Sequence, residues 1–462
     1  MEYTWEEIAK VPVPDWFEDA KFGIFIHWGA YSVPAIALEG YAEWYPRFMY
    51  QDDETREYHL KTYGPDIGYA DFIKQFKAEK WNPQAWAELF DLAGAKYIAP
   101  VAEHHDGFAM WDSDLTQWDA KEKGPRRDII GELGEAVRKR GLKYSPTYHR
   151  ERHFWYFDST MVAPEIARDP DRLSLYGPFS LNQSFIDDYV ARWKEIEEKY
   201  QPDFMWLDHV PYFEWEDKHY AHMIPDYKNM FKNLVGGYLD RAEAWKKEIY
   251  FNNKGQKKWG INFPVGIREG DNLIMDDRTQ KWQNPATIAH SYGYCRMEEE
   301  ENSYKSANTL IDLLIDIVSK NGNLLLNVGP RADGTISEIQ KARLLQIGEW
   351  LKVNGEGIYG SRPWREYGEG PNKEQKDRYA VNAFTSNDFR FTKKENIIFA
   401  FIMEWPKERE VIIKSLISEN VTDVYLLGHG QVDFQGDNKG LRVKLPEKKP
   451  CESAYTLKIL TM

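Results

Sequence analysis

Cysteine is nearly absent from this chain of 462 residues. The two present, Cys295 and Cys451, lie far apart and match no metal-ligand spacing. That excludes a disulfide framework and favours a reducing compartment. Basic excess is missing too: the net charge is -14, which argues against nucleic acid or an anionic membrane as partner. No apolar run reaches the roughly 18 residues that a membrane span needs. The N-terminus, MEYTWEEIAK, has neither a basic n-region nor an apolar h-region. The expected location is cytoplasmic, or secreted or periplasmic if a leader has been removed. Phosphate-cradling motifs are lacking as well. The single GxGxxG, Gly355 to Gly360, follows a helical pattern and reads as a helix stop.

Aromatic residues, in contrast, are abundant: 15 % of the chain, with 18 Trp and 28 Tyr. Sugar-binding proteins often carry such rings, because the apolar face of a pyranose stacks on an aromatic plane. A large aromatic core would give the same composition, so position has to decide.

Up to about residue 360, short apolar runs alternate with amphipathic stretches. Strands are expected at Phe22–Trp28, Tyr97–Glu103, Leu142–Tyr148, Phe204–Asp208, Ile249–Asn253 and Asn323–Val328. Helices are expected at Gln84–Ala93, Asp128–Lys139, Phe185–Lys199, Asp226–Lys247, Ser306–Lys320 and Ile336–Val353, several with start and stop signals. Repeated strand-then-helix means parallel βα units. Polar and aromatic residues recur at the ends of many strands. A (β/α)8-like barrel gathers all those ends at one mouth, which explains them better than an open sheet. After a polar stretch at 367–377, only short β-like runs follow. The expected organisation is a barrel over 1–365 and an all-β sandwich over 366–462.

The strand tips carry the candidate chemistry. The stretch 95–111, AKYIAPVAEHHDGFAMW, ends an apolar run in Glu103, His104, His105 and Asp106, with Phe108 and Trp111 beyond. Neighbouring residues on a strand point to opposite faces, so the two imidazoles suit sugar hydroxyls better than one metal ion. No third ligand of zinc-site spacing accompanies them, and no metal or cofactor is expected. His27 ends the first strand, KFGIFIHWG. Glu43 and Trp44, in AEWYPR, offer a hydroxyl acceptor and a stacking plane, although Glu43 could equally pair with Arg47 on the surface. Asp208 closes the apolar run of PDFMWLD, where a carboxylate is costly unless paired or used. An N-cap would be the bland explanation, but Pro211 and aromatics follow it. Glycoside cleavage needs a second carboxylate. Glu269, Asp271, Asp276 and Asp277 are available in 262–282, and the pattern does not choose among them. NGNLLLNVGPRADGTI, 321–336, reads as a closing strand with Asn327 at the mouth.

Taken together, FGIFIHWGAYSVPA, AEWYPR, AKYIAPVAEHHDGFAMWDS, PDFMWLDH and SKNGNLLLNVGPRADGTI resemble the α-L-fucosidases of glycoside hydrolase family 29, in order from about residue 15 to 360. The resemblance implies a retaining exo-hydrolase that removes terminal α-L-fucose from fucosylated oligosaccharides or glycoconjugates. Asp208 matches the family nucleophile. His27, Glu43, Trp44, His104 and His105 match residues that hold the fucose hydroxyls, and Tyr144 lies near a family tyrosine. Glu269 is the best-placed acid/base, with Asp271 and Asp276 as rivals. A retaining mechanism implies carboxyl groups about 5–5.5 Å apart. Lys254 stands where several members carry Arg, and Tyr292 replaces a common Trp; both, with Trp282, are expected near substrate. Phe108, Trp111 and Tyr292 are candidates for the wall meeting the fucose methyl. An α-L-galactosidase, or an inactive fucose-binding relative, is the alternative. A barrel of this kind is compatible with a homo-oligomer.

Overall fold

The computed structural model describes residues 3–208, 224–253, 266–269, 278–299, 303–374, 384–417 and 420–462. Nine parallel strands make the first sheet: β1 (Phe22–Ile26), β2 (Tyr97–Glu103), β3 (Lys143–Tyr144), β4 (Thr147–Tyr148), β5 (Phe204–Leu207), β6 (Tyr250–Asn253), β7 (Ile267–Glu269), β8 (Trp282–Thr287) and β9 (Gly322–Val328). Their order is β1-β9-β8-β7-β6-β5-β4-β2-β3, and β1 also pairs with β2, which closes the ring. Both β3 and β4 pair with β2, on either side of Ser145-Pro146. Proline has no N–H to give the ladder, so this stave breaks there. Counting β3 and β4 as one stave, the barrel has eight, as expected from the alternation.

Two staves, β7 and β8, carry no strand signal in the sequence. β7 is three residues long, and β8 reads Trp-Gln-Asn-Pro-Ala-Thr. Polar residues are tolerated there because the pairing is set by neighbouring staves. The expected helices are all present, as Pro83–Leu92, Ile129–Lys139, Gln183–Tyr200, Ile224–Trp245, Ala307–Ser319 and Glu338–Asn354. Five start on a side-chain cap that accepts a backbone N–H of the first turn: Asn82, Asp128, Asn182, Ser306 and Ser337. Each such cap is worth about 1 kcal/mol. Among the described residues, no helix is long and apolar enough to cross a membrane.

The strand period of two sorts side chains between the barrel interior and the helical shell. Phe25, Tyr97, Ala99, Val101, Phe204, Trp206, Tyr250, Ile267 and Leu325 form one inner cluster. Ile24, Ile98, Met205, Leu324 and Leu326 face outward into the larger core under the helices. Trp16 and Phe17 close the floor. They pack on Tyr97, Phe204 and Tyr250, the first residues of β2, β5 and β6 or their start.

The C-terminal strands are antiparallel. A six-stranded sheet runs β10 (Arg362–Glu369), β11 (Phe389–Lys394), β12 (Ile397–Ile402), β18 (Tyr455–Thr461), β14 (Val421–Leu426) and β15 (Gly430–Gln431). A three-stranded sheet runs β13 (Glu410–Ile413), β17 (Gly440–Lys444) and β16 (Phe434–Asp437). Phe391, Ile398 and Ile402 of one sheet share a core with Val411, Ile413 and Val443 of the other. The first strand starts at Arg362, ahead of the boundary expected at 366. It includes the head of the stretch 367–377, which reads as a linker in sequence. Arg390 ties this region to the barrel. Fully buried, its Nε meets Asp316 Oδ1 of the Ala307–Ser319 helix at 2.6 Å.

Candidate active site

The same period that sorts the core delivers the polar residues to the mouth. On β5, Phe204 and Trp206 point inward, so Asp208, the residue after the strand, is in phase with them. On β7, Ile267 points inward and Arg268 is exposed, so Glu269 faces in. His27 continues the phase of Phe25, His149 that of Thr147, and Asn327 that of Leu325. All lie at the carboxyl ends of parallel strands, where barrel active sites form.

Hydrogen bonds then fix each group. His27 Nδ1 meets Asn327 Oδ1 at 2.7 Å, and the Asn327 amide donates to the Tyr292 carbonyl at 2.6 Å. The half-buried Tyr292 ring stands 4.8 Å from that of His27. His104 and His105 separate, as adjacent residues should. His104 joins His27 and His149, their ligand nitrogens all within 4.8 Å of one another. His105 instead meets Glu151 and Asp208. Its Nδ1 donates to the His149 carbonyl at 2.5 Å, and its Nε2 stands 3.9 Å from Asp208 Oδ2. Trp44 meets the His105 ring edge-on at 5.1 Å. Burial, then the neighbouring His105, His149 and His27, push the His104 pKa well below its usual value. His104 is therefore a neutral ring at neutral pH.

Glu43 is buried, and its Oε2 accepts the Gly293 N–H at 2.8 Å. Burial lifts its carboxyl to about 7, against the hydrogen bond from Gly293. Glu269 Oε2 accepts from the Trp206 indole and, at 2.8 Å, from the Gln283 amide. Gln283 in turn accepts from the Tyr97 hydroxyl at 2.7 Å. Beneath the site, Glu103 holds Arg150 at 2.6 Å and Arg192 at 3.3 Å.

Several expected contacts lie elsewhere. Tyr144 faces outward, and its hydroxyl donates to the Ile130 carbonyl of the Ile129–Lys139 helix at 2.6 Å. Trp282 is likewise outside the barrel, donating to the Lys320 carbonyl at 2.8 Å. Each misses the interior by one residue, since a one-residue step changes face. Phe108 packs on Phe76 in the outer core, and Trp111 donates to Glu195, so neither lines the mouth. Tyr292 alone of the three proposed wall residues stands at the site. Lys254, Asp271, Asp276 and Asp277 lie outside the described residues. The sequence reading missed His149 and Gln283. His149 was findable: it ends the LKYSPTYH run as His27 ends the first strand.

An eight-staved barrel with carboxylates and imidazoles at the carboxyl ends of its strands, followed by β-sheets, is the architecture of a barrel glycoside hydrolase. The comparisons name the family. The α-L-fucosidase model matches residues 1–356, and the α-L-fucosidase C-terminal domain matches 381–460. The tissue α-L-fucosidase of Rattus norvegicus is 32 % identical over 98 % of this chain and 91 % of its own. The α-L-fucosidase of Dictyostelium discoideum is 32 % identical over 96 % of this chain and 88 % of its own. The crystal structure of the Thermotoga maritima α-fucosidase, also solved in complex with fucose, is 33 % identical, with a TM-score of 0.80 over 99 % of each chain. The chain belongs to the α-L-fucosidase family of glycoside hydrolases.

Proposed function

We propose that this protein is a retaining exo-α-L-fucosidase acting on fucosylated oligosaccharides or glycoconjugates. The observation that carries the reading is the placement of Asp208. It sits in phase with Trp206 at the barrel mouth, 16 % exposed, facing His105 Nε2 at 3.9 Å. A carboxylate so placed attacks the anomeric carbon and forms a glycosyl ester. His27, His104, His105 and Glu43 hold the sugar hydroxyls, and Trp44 and Tyr292 flank the ring.

Glu269 is the acid/base of this reading. It donates a proton to the leaving oxygen, then activates the water that opens the ester. Trp206 and Gln283 fix its carboxyl from below. A second reading gives this role to Glu43, because burial lifts its carboxyl to about 7, where a general acid at neutral pH must titrate.

A 2-fluoro-fucosyl substrate with an activated leaving group tests the nucleophile. Mass spectrometry should find the ester on Asp208, and proton NMR should show α-L-fucose as the first product. First formation of β-L-fucose would overturn the retaining mechanism. Azide rescue of an activated aryl fucoside in Glu269→Ala, and not in Glu43→Ala, assigns the acid; the reverse moves it to Glu43.

A further inference from the structure

His27, His104 and His149 come from three different staves, the ends of β1, β2 and β4. Their ligand nitrogens lie within 4.8 Å of one another, and all three residues are buried. The rings are close without a flat stack: centroids are 5.8 Å apart for His27–His104 and 5.3 Å for both pairs with His149.

Two of these rings have their second nitrogen already occupied. His27 Nδ1 faces the Asn327 amide oxygen, an acceptor only, so Nδ1 carries a proton and Nε2 is the nitrogen left to face the site. His149 Nε2 is 3.1 Å from Thr147 Oγ1, whose hydroxyl is directed to the Pro100 carbonyl at 3.4 Å. A hydroxyl so directed can accept from His149 Nε2. An oxygen acceptor behind the distal nitrogen is the outer-shell arrangement that orients metal-ligating imidazoles. His104 Nδ1 is buried with no hydrogen-bond partner among the described residues.

We propose that this imidazole trio is a binding site for a borderline divalent cation such as Zn2+, and that the cation excludes sugar from the pocket. The site would be inhibitory. The exclusion rests on the fucosidase reading, because it needs His27 and His104 to serve the sugar as well. Three imidazoles with an open fourth position are a zinc-type ligand set. Mg2+ and Ca2+ prefer oxygen ligands and are not expected to bind. Tetrahedral zinc places ligand nitrogens about 3.3 Å apart at bonds of about 2.0–2.1 Å. The rings close inward to reach that spacing. Asp208 acts electrostatically on His104 and offsets part of the incoming charge.

Cobalt(II) reports the site without any substrate. Added to the metal-free full-length protein, Co2+ should give the intense visible absorption of a four-coordinate ion, removed by equimolar Zn2+. L-Fucose should raise the apparent Kd for Co2+, and Zn2+ should inhibit hydrolysis competitively, reversed by a chelator. His149→Phe should abolish the absorption. Thr147→Val leaves all three ligands in place and should weaken binding about 10-fold or more. Retained absorption in His149→Phe, or no band in the wild type, overturns the site. A band indifferent to fucose overturns the exclusion. Metal binding without any fucoside hydrolysis would instead count against the fucosidase reading.

Discussion

The carbonyl of His149 decides which nitrogen of His105 faces Asp208. A carbonyl only accepts, so His105 Nδ1 carries a proton, and Nε2 is the nitrogen turned to Asp208 Oδ2, 3.9 Å away. Because the acceptor belongs to the backbone, no side-chain substitution at position 149 removes it.

Asp208→Ala should lower kcat for an aryl α-L-fucoside by at least on the order of 10⁴-fold. The side chain is at the barrel mouth and faces His105 Nε2 at 3.9 Å, too far for a hydrogen bond, so thermal unfolding should move far less than kcat. Steady-state kinetics and a melting curve check both halves.

Glu43 predicts a pH effect on stability. Its carboxyl rises from 4.5 to about 7 on folding, through burial. Between these values the folded state binds the extra proton, so stability is full below about 4.5 and falls as pH rises through 7. The loss is up to about 3 kcal/mol at 1.36 kcal/mol per pKa unit. Glu43→Gln keeps an acceptor for Gly293 and removes the titration. Melting curves from pH 5 to 8 should be flatter for the variant. Asp106, also lifted to about 7, and Asp312, lifted to about 8, both by burial, add the same sign in the wild type.

Arg390→Ala should destabilise strongly. It leaves Asp316 with Lys320 as its remaining cation, at 2.7 Å, and removes donors to the Asn372 and Lys373 carbonyls. Breaking a buried pair from one side costs about 3–5 kcal/mol, of which Lys320 offsets part. Calorimetry should show a lower melting temperature, with the β-sheet region and the barrel no longer unfolding together.

Tyr144→Phe should leave KM unchanged, since its hydroxyl belongs to the helical shell. It should cost about 1–3 kcal/mol of stability, from the lost hydrogen bond to Ile130. A raised KM with unchanged stability would put Tyr144 at the sugar instead.

Much of the barrel was legible because six staves are apolar runs that end in polar groups. His27, His104, His105, Asp208 and Asn327 could be read as one mouth for that reason. What failed was parity. Tyr144 and Trp282 look like site residues by type, yet each is one step out of phase with the interior. Gln283, beside Trp282, is the neighbour that turns in. β7 and β8 were hidden for another reason. Their partners and the ring closure hold them in place, and a three-residue strand carries no periodicity to detect. Glu269 was chosen by resemblance; its inward direction became visible only once Ile267 was seen facing the barrel interior.

The stopper of Trp16 and Phe17 has a kinetic consequence. With the floor filled by aromatic rings, the described barrel opens at the carboxyl ends of its strands. In the double displacement proposed above, the departing alcohol and the incoming water would share that opening and could not pass each other at the ester. Turnover would then be ordered: the first product leaves before the second reactant enters, and a second alcohol waiting at the opening would compete with water for the sugar.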